Sequence, residues 1–172
     1  NVMERLALGQ SMSTVAPADD AHPDARVRAV FDDIRTTRGS DFINNFWRYL
    51  AFDADLLEAT WAEVKRVMAT PSALDPLTKE RIYTAVSVAN GCGYCVHSHS
   101  AAARAKGMSA AQYAELLAIV GLAGKTNHLV TALQVPVDPI FDADTTVRQV
   151  DIVGSFQPPD GLCHGFGAHD TL

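Results

Sequence analysis

Apolar residues recur at three- and four-residue intervals along most of the chain, the period of helices packed on one side. The pattern begins after Asp24, where Val27, Val30, Phe31 and Ile34 share a face until "RGS" at 38–40 interrupts it. Ser40 is placed to cap a second helix, with Phe42, Ile43, Phe46, Trp47 and Leu50 on one face. Leu56, Leu57, Trp61, Val64, Val67 and Met68 form a third, and "TPSALDP" ends it. Asp75-Pro76 combines an N-cap carboxylate with proline at the first helical position, so a fourth helix opens there. Its apolar stripe is Ile82, Ala85, Val86 and Ala89. After "NGCG" at 90–93 a fifth helix is predicted over about 94–106, stopping at Gly107. Ser109 caps another through Tyr113, Leu116, Leu117 and Val120, and a last covers about 125–133 before "VPVDP".

Strand alternation occurs only at 145–153, "TTVRQVDIV", and no internal repeat is visible. The pattern predicts a single all-α domain of about six or seven helices over residues 24–136, with a mobile arm at 1–23 and an irregular tail at 137–172. A length of 172 residues suits one domain with its own core. Composition is ordinary for a globular protein, at 48% hydrophobic and 20% charged. The net charge of −6, with no run of Lys or Arg longer than two, argues against nucleic acid as a partner. The most apolar stretch, 116–123, is broken by Gly121 and Gly124 and falls short of the roughly 20 residues of a membrane span. The opening "NVMERLALGQSMSTVAP" holds no long apolar segment of a signal peptide, and "MSTVAPADD" from Met12 reads as a natural start. The expectation is a cytoplasmic protein without a membrane or nucleic-acid partner.

Chemistry concentrates in "GCGYCVHSHS" at 91–100. The turn before it puts Cys92 at the mouth of the fifth helix and Cys95 in its first turn. Unpaired N–H groups and the macrodipole there favour a thiolate. In a reducing compartment a C-x-x-C pair is more often redox-active or metal-binding than a structural staple. The spacing lets one thiolate attack and the other close a disulfide. His99 follows Cys95 by four residues, one turn along the same face, where an imidazole can take a thiol proton. His97 points away from that face, toward solvent or a subunit contact. If the fourth and fifth helices form an antiparallel hairpin centred near Asn90, Glu80 faces His99 and Thr84 faces Cys95. Glu80 can then orient and charge-stabilise His99.

The run from Glu80 to His99, "E-x11-C-G-Y-C-V-x-S-H", resembles the core motif of the alkylhydroperoxidase D-like and carboxymuconolactone decarboxylase superfamily. "AAARAKGMSAAQYAELL" behind it is similar as well, and the resemblance covers about residues 40–135. It implies an all-helical fold, homo-oligomers (trimers or hexamers), and peroxidase or disulfide-reductase activity. Cys95 would attack the peroxide, Cys92 would resolve the intermediate, and His99 with Glu80 would relay the proton. The implied partners are a hydroperoxide substrate and an external thiol or dithiol reductant, a peroxiredoxin among the candidates, with no cofactor. Redox members often carry histidine or serine between the cysteines, whereas Gly93 and Tyr94 stand here. Decarboxylase members generally lack the pair, so Cys92 and Cys95 move this chain toward the redox branch.

Two alternatives stand beside it: a decarboxylase or lactone-processing enzyme, and a non-enzymatic oligomer whose cysteines hold zinc. C-x2-C-x3-H needs a fourth ligand, for which His97, His128 and Cys163 are candidates at no familiar spacing. Val96 after Cys95 excludes the usual covalent haem motif. "CHGFGAHD" at 163–170 reads as a mobile tail rather than a metal site. Phe46, Trp47 and Trp61 read as core or subunit interface, and Tyr83 and Tyr94 as packing.

Overall fold

Helix starts and stops follow local chemistry closely. The computed structural model describes residues 13–141. The Met12 start, the 145–153 alternation and the Cys163, His164 and His169 tail lie outside them. Among the described residues there are six α-helices and no strand: α1 Ala25–Arg38, α2 Asn45–Leu50, α3 Ala54–Val64, α4 Pro76–Ala89, α5 Gly93–Ala105 and α6 Ala110–Leu133. The all-α class read from the sequence is the observed one. A π-helical turn, Lys65–Ala69, extends α3, and a 3₁₀ turn, Pro139–Phe141, follows α6. Contacts divide the chain into two units, Asn1–Thr126 and Asn127–Leu172.

In the first unit the carboxylates of Asp24, Asp53 and Asp75 each accept a backbone N–H in the first turn of α1, α3 and α4. Val27, Val30, Phe31 and Ile34 of α1 bury against Ile43, Trp47, Ala51, Leu57 and Trp61. Trp47 and Trp61 meet edge to face at 5.3 Å, and the Arg38 guanidinium lies 5.8 and 5.7 Å from the two ring centres. Asp33 locks α1 to the end of α3, accepting from Trp61 Nε1 at 2.7 Å and from Lys65 Nζ at 2.7 Å. The Lys65 and Trp61 donors hold its carboxyl below the usual range.

Three expectations are corrected. The second helix is short, beginning at Asn45, and Ser40 Oγ instead accepts the Phe42 N–H at 3.2 Å within the preceding turn. Asp41, Asn44 and Asn45 favour turns over helix interiors, and Asn44 Oδ1 is engaged by Arg38. Ile43 and Trp47 are buried as expected, while Phe42 and Phe46 are exposed.

The second correction concerns α4. Its buried residues are Lys79, Glu80, Thr84 and Ser87, while Ile82 and Val86 of the expected apolar stripe stand 49% and 52% exposed. The helix turns its polar face inward.

The third concerns α6. It runs unbroken for 24 residues through Gly121 and Gly124, where two helices were expected. Each glycine costs a helix about 1 kcal/mol relative to alanine, which is not enough to stop one flanked by Ala, Leu and Lys. Ser109 and Gln112 exchange reciprocal hydrogen bonds of 3.1 and 3.0 Å at its start, a capping box. None of α6 is buried, and its most apolar 18-residue window has a mean hydropathy of 1.4. By length and composition alone it could cross a bilayer, contrary to the expectation for 116–123.

Ile34→Ala is expected to lower stability by about 2–4 kcal/mol, since Ile34 is wholly buried among α1–α3 residues. Denaturant unfolding would measure it, and a loss under about 0.5 kcal/mol would contradict this core assignment.

Candidate functional site

The site is built on the turn between α4 and α5. Asn90 ends α4 and Gly91 follows in the left-handed region at φ +67°, which a residue without Cβ adopts freely. The Gly91 N–H then reaches Val88 O at 3.1 Å and the Cys92 N–H reaches Ser87 O at 3.0 Å, closing a Schellman motif. Cys92 therefore belongs to two elements at once. Its N–H closes α4, while its sulfur, as N-cap of α5, accepts the Cys95 N–H at 3.3 Å. The short turn lets α5 pack back on α4, and the two form the most extensive helix pairing among the described residues.

Cys92 and Cys95 are joined as a disulfide, with their Cα atoms 5.4 Å apart. Both are partly exposed. The pair thus sits at the mouth and in the first turn of α5, as the sequence places it. Tyr94 between them projects toward α2, where its hydroxyl accepts the Phe46 N–H at 3.1 Å. Asn45, Phe46, Tyr49 and Tyr94 line an open groove of about 370 Å³ beside the turn.

Of the two pairings expected across the hairpin, that of Glu80 with His99 is observed. His99 Nδ1 lies 2.7 Å from Glu80 Oε2, the pairing expected from a turn centred near Asn90. Glu80 is the more enclosed partner, its side chain 10% exposed against 24% for His99. Burial pushes the Glu80 carboxyl up, but hydrogen bonds and charge from His99 and Lys106 outweigh it and leave the group below its ordinary 4.5. With Nδ1 engaged, Nε2 is the ring nitrogen left for proton exchange. His97 is exposed, as expected from its position on the helix. Thr84 is buried, with its hydroxyl donating to Glu80 O at 2.8 Å.

Three residues join the site that sequence reasoning missed or gave another role. Lys106 Nζ lies 3.0 Å from Glu80 Oε1, so the two carboxylate oxygens are divided between an imidazole and an ammonium. Tyr83, a packing residue by sequence, packs on the His99 ring itself, stacked at 3.6 Å and 19°. Arg38 at the end of α1 is electrostatically coupled to Glu80 and to Tyr94. A signal for Lys106 was available: it follows His99 by seven residues, two turns along one face. For Arg38 there was none, because it arrives from another helix pair. No cluster of three or more His, Cys, Asp or Glu placed to hold a metal occurs among the described residues.

Residues 54–138 match the carboxymuconolactone decarboxylase family. The chain is also similar to the solved alkylhydroperoxidase AhpD core of Rhodospirillum rubrum. The two are 62% identical with a TM-score of 0.75, and the match covers 78% of this chain and 100% of that one. No curated protein matches.

Because the Glu80 carboxyl is lower in the folded chain than its ordinary 4.5, its contribution to stability is present above that pH and is lost as pH falls through the folded value. Glu80→Gln is expected to remove about 1–3 kcal/mol at neutral pH and to flatten that acid limb. Stability measured by denaturant across acidic pH reads both effects. An unchanged acid limb in the variant would show that Glu80 carries none of it.

Proposed function

The chain belongs to the alkylhydroperoxidase D-like and carboxymuconolactone decarboxylase superfamily, and on that premise we propose that it is a thiol-dependent hydroperoxide reductase. The observation that carries this reading is a cysteine pair at a helix mouth, bonded to each other, one turn from a histidine held by a buried carboxylate.

The disulfide is the oxidised half of the proposed couple. In the reduced form His99, anchored at Nδ1 by Glu80, takes the Cys95 proton. The Cys95 thiolate attacks the terminal oxygen of the hydroperoxide and breaks the O–O bond. The leaving alkoxide collects the proton held at His99 and departs as alcohol, while Cys95 becomes a sulfenic acid. Cys92 attacks the sulfenic sulfur, releasing water and forming the disulfide. An external thiol or dithiol, a peroxiredoxin among the candidates, reduces it and leaves as its own disulfide. The groove lined by Phe46, Tyr49 and Tyr94 offers an apolar approach for the alkyl part. A reducing compartment, the cytoplasm, suits this cycle.

Further copies of the chain are proposed to cover the outward apolar surface, where Ile82, Val86, Ile119 and Leu122 are about half exposed or more. Nearby, Arg81 Nη2 is buried without a hydrogen-bond partner among the described residues, at a groove lined by Ala85, Gln112, Glu115, Leu116 and Ile119. An unpaired donor at an apolar surface is what a docked chain would satisfy. Ile119→Glu with Leu122→Glu is expected to give smaller particles by light scattering. A monomeric parent protein would remove the proposal.

In the reduced protein, hydroperoxide is expected to consume two thiols per chain. Cys92→Ser should stop at a sulfenic acid on Cys95 that a dimedone-type reagent traps. Cys95→Ser should be inert, and His99→Ala should slow thiol loss by about 100-fold or more. Full peroxidase turnover by Cys95→Ser would sink the assignment of the nucleophile. Turnover of a carboxymuconolactone-type substrate by the double Cys→Ser variant would instead favour the decarboxylase side of the superfamily.

A further inference from the structure

Glu80 has two oxygens and two different partners. His99 Nδ1 takes Oε2 at 2.7 Å, and Lys106 Nζ takes Oε1 at 3.0 Å. The position of Lys106 is built rather than incidental. It is the C-cap of α5, followed by Gly107 at φ +97°, whose N–H reaches Arg104 O at 2.9 Å while Met108 N–H reaches Ala103 O at 3.0 Å. This second Schellman motif, with Ala103 and Met108 both buried, fixes the backbone from which Lys106 reaches across to α4. The Lys106 side chain is 38% exposed, so water solvates it without help from Glu80. Glu80 is nearly enclosed and depends on its partners.

We propose that Lys106 is a positioning residue that sets the charge of the Glu80–His99 relay by neutralising one end of the shared carboxylate, an inference that rests on the thiol-peroxidase reading of the site. Glu80 Oε2 and His99 Nδ1 share one hydrogen bond, so a charge placed at the carboxylate acts on both partners. A fixed positive charge beside that pair disfavours proton uptake on either member. It also disfavours protonation of a thiolate coupled to them. Removing the charge raises every proton affinity in the cluster, whichever atom holds the proton. The proton-poor state, in which Cys95 can be deprotonated, then begins at higher pH.

The other charged or titratable groups facing the pair do not replace Lys106. From α4, Tyr83 stacks on His99 through its ring. From α1, Arg38 is coupled to Glu80 but has its guanidinium above the Trp47 and Trp61 rings and its donor on Asn44. No hydrogen bond or ion pair to the Glu80 carboxylate from α6 occurs among the described residues.

The readout is the rate at which iodoacetamide alkylates Cys95, identified by peptide mass, in reduced protein of a Cys92→Ser background. The rate at about pH 8 divided by the rate at about pH 6 is expected to rise about threefold or more in Lys106→Met. Lys106→Gln, which loses the same charge but keeps a polar end, should show the same rise. Lys106→Arg should restore the parent ratio to within about 1.5-fold. In a Glu80→Gln background the effect of Lys106→Met should shrink, because the carboxylate that transmits it is gone. A parallel fall in rate at both pH values, with the ratio unchanged, would mean that Lys106 serves packing alone and would overturn the proposal. Retention of the full effect in Glu80→Gln would overturn it too, since Lys106 would then act on the thiol directly. The peroxidase reading fails separately: a reduced parent protein that loses no thiols to hydroperoxide refutes that activity. The alkylation ratios then still decide the role of Lys106.

Discussion

A carboxylate held out of water at Glu80 is the constraint on which the rest of the structure turns. An ionised carboxylate with a 10% exposed side chain is tolerable only if its oxygens are met by donors. Here they are met by His99 and Lys106, both supplied by α5 and its cap. Two points of attachment, seven residues apart on one helix, fix α5 in rotation and in register against α4. The same constraint makes α4 bury Lys79, Glu80, Thr84 and Ser87 and put Ile82 and Val86 outside. A helix that spends its inner face on polar chemistry leaves its apolar face seeking cover. The exposed row along α6 poses the same demand.

The two ends of α5 are made the same way. At each, a glycine in the left-handed region closes a Schellman motif, Gly91 before Cys92 and Gly107 after Lys106. The first aims a sulfur at the amide groups of the helix mouth, and the second brings an ammonium back over the hairpin. The chemistry-bearing side chains thus project from short, rigid turns and from facing helical positions, not from long loops. Such a site is held in place by backbone hydrogen bonds as much as by its own contacts.

Much of this could be read along the chain. Asp75 before Pro76 announced α4, the apolar periods after Asp24 and from Leu56 announced α1 and α3, and Gly107 announced the end of α5. The C-x-x-C spacing and the i+4 histidine were local facts, and one assumption about the hairpin centre added Glu80. Glu80 apart, these features are legible because each depends on residues within about two helical turns of one another. What escaped depended on distance or on a balance of small terms. Whether Gly121 and Gly124 would break α6 was a contest between a modest propensity cost and the helix formers around them. Whether Phe42 and Phe46 would bury with Trp47 depended on where the second helix began, which Asn44 and its Arg38 partner decided.

By itself, then, the sequence determined the helical class, the caps at Asp75, Gly107 and Ser109, the placement of both thiols at a helix mouth and the face shared by Cys95 and His99. Only the tertiary structure decided which side of α4 faces inward, that Tyr83 stacks on His99, that Arg38 approaches from α1, and that Lys106 takes the second oxygen of Glu80. The physical reason is the difference between periodicity and desolvation. Periodicity shows that a helix has an apolar stripe, and it assumes that the stripe is the buried one. Desolvating a single carboxylate reverses that assumption, because the charge must find its donors on the neighbouring helix before any methyl group finds its place.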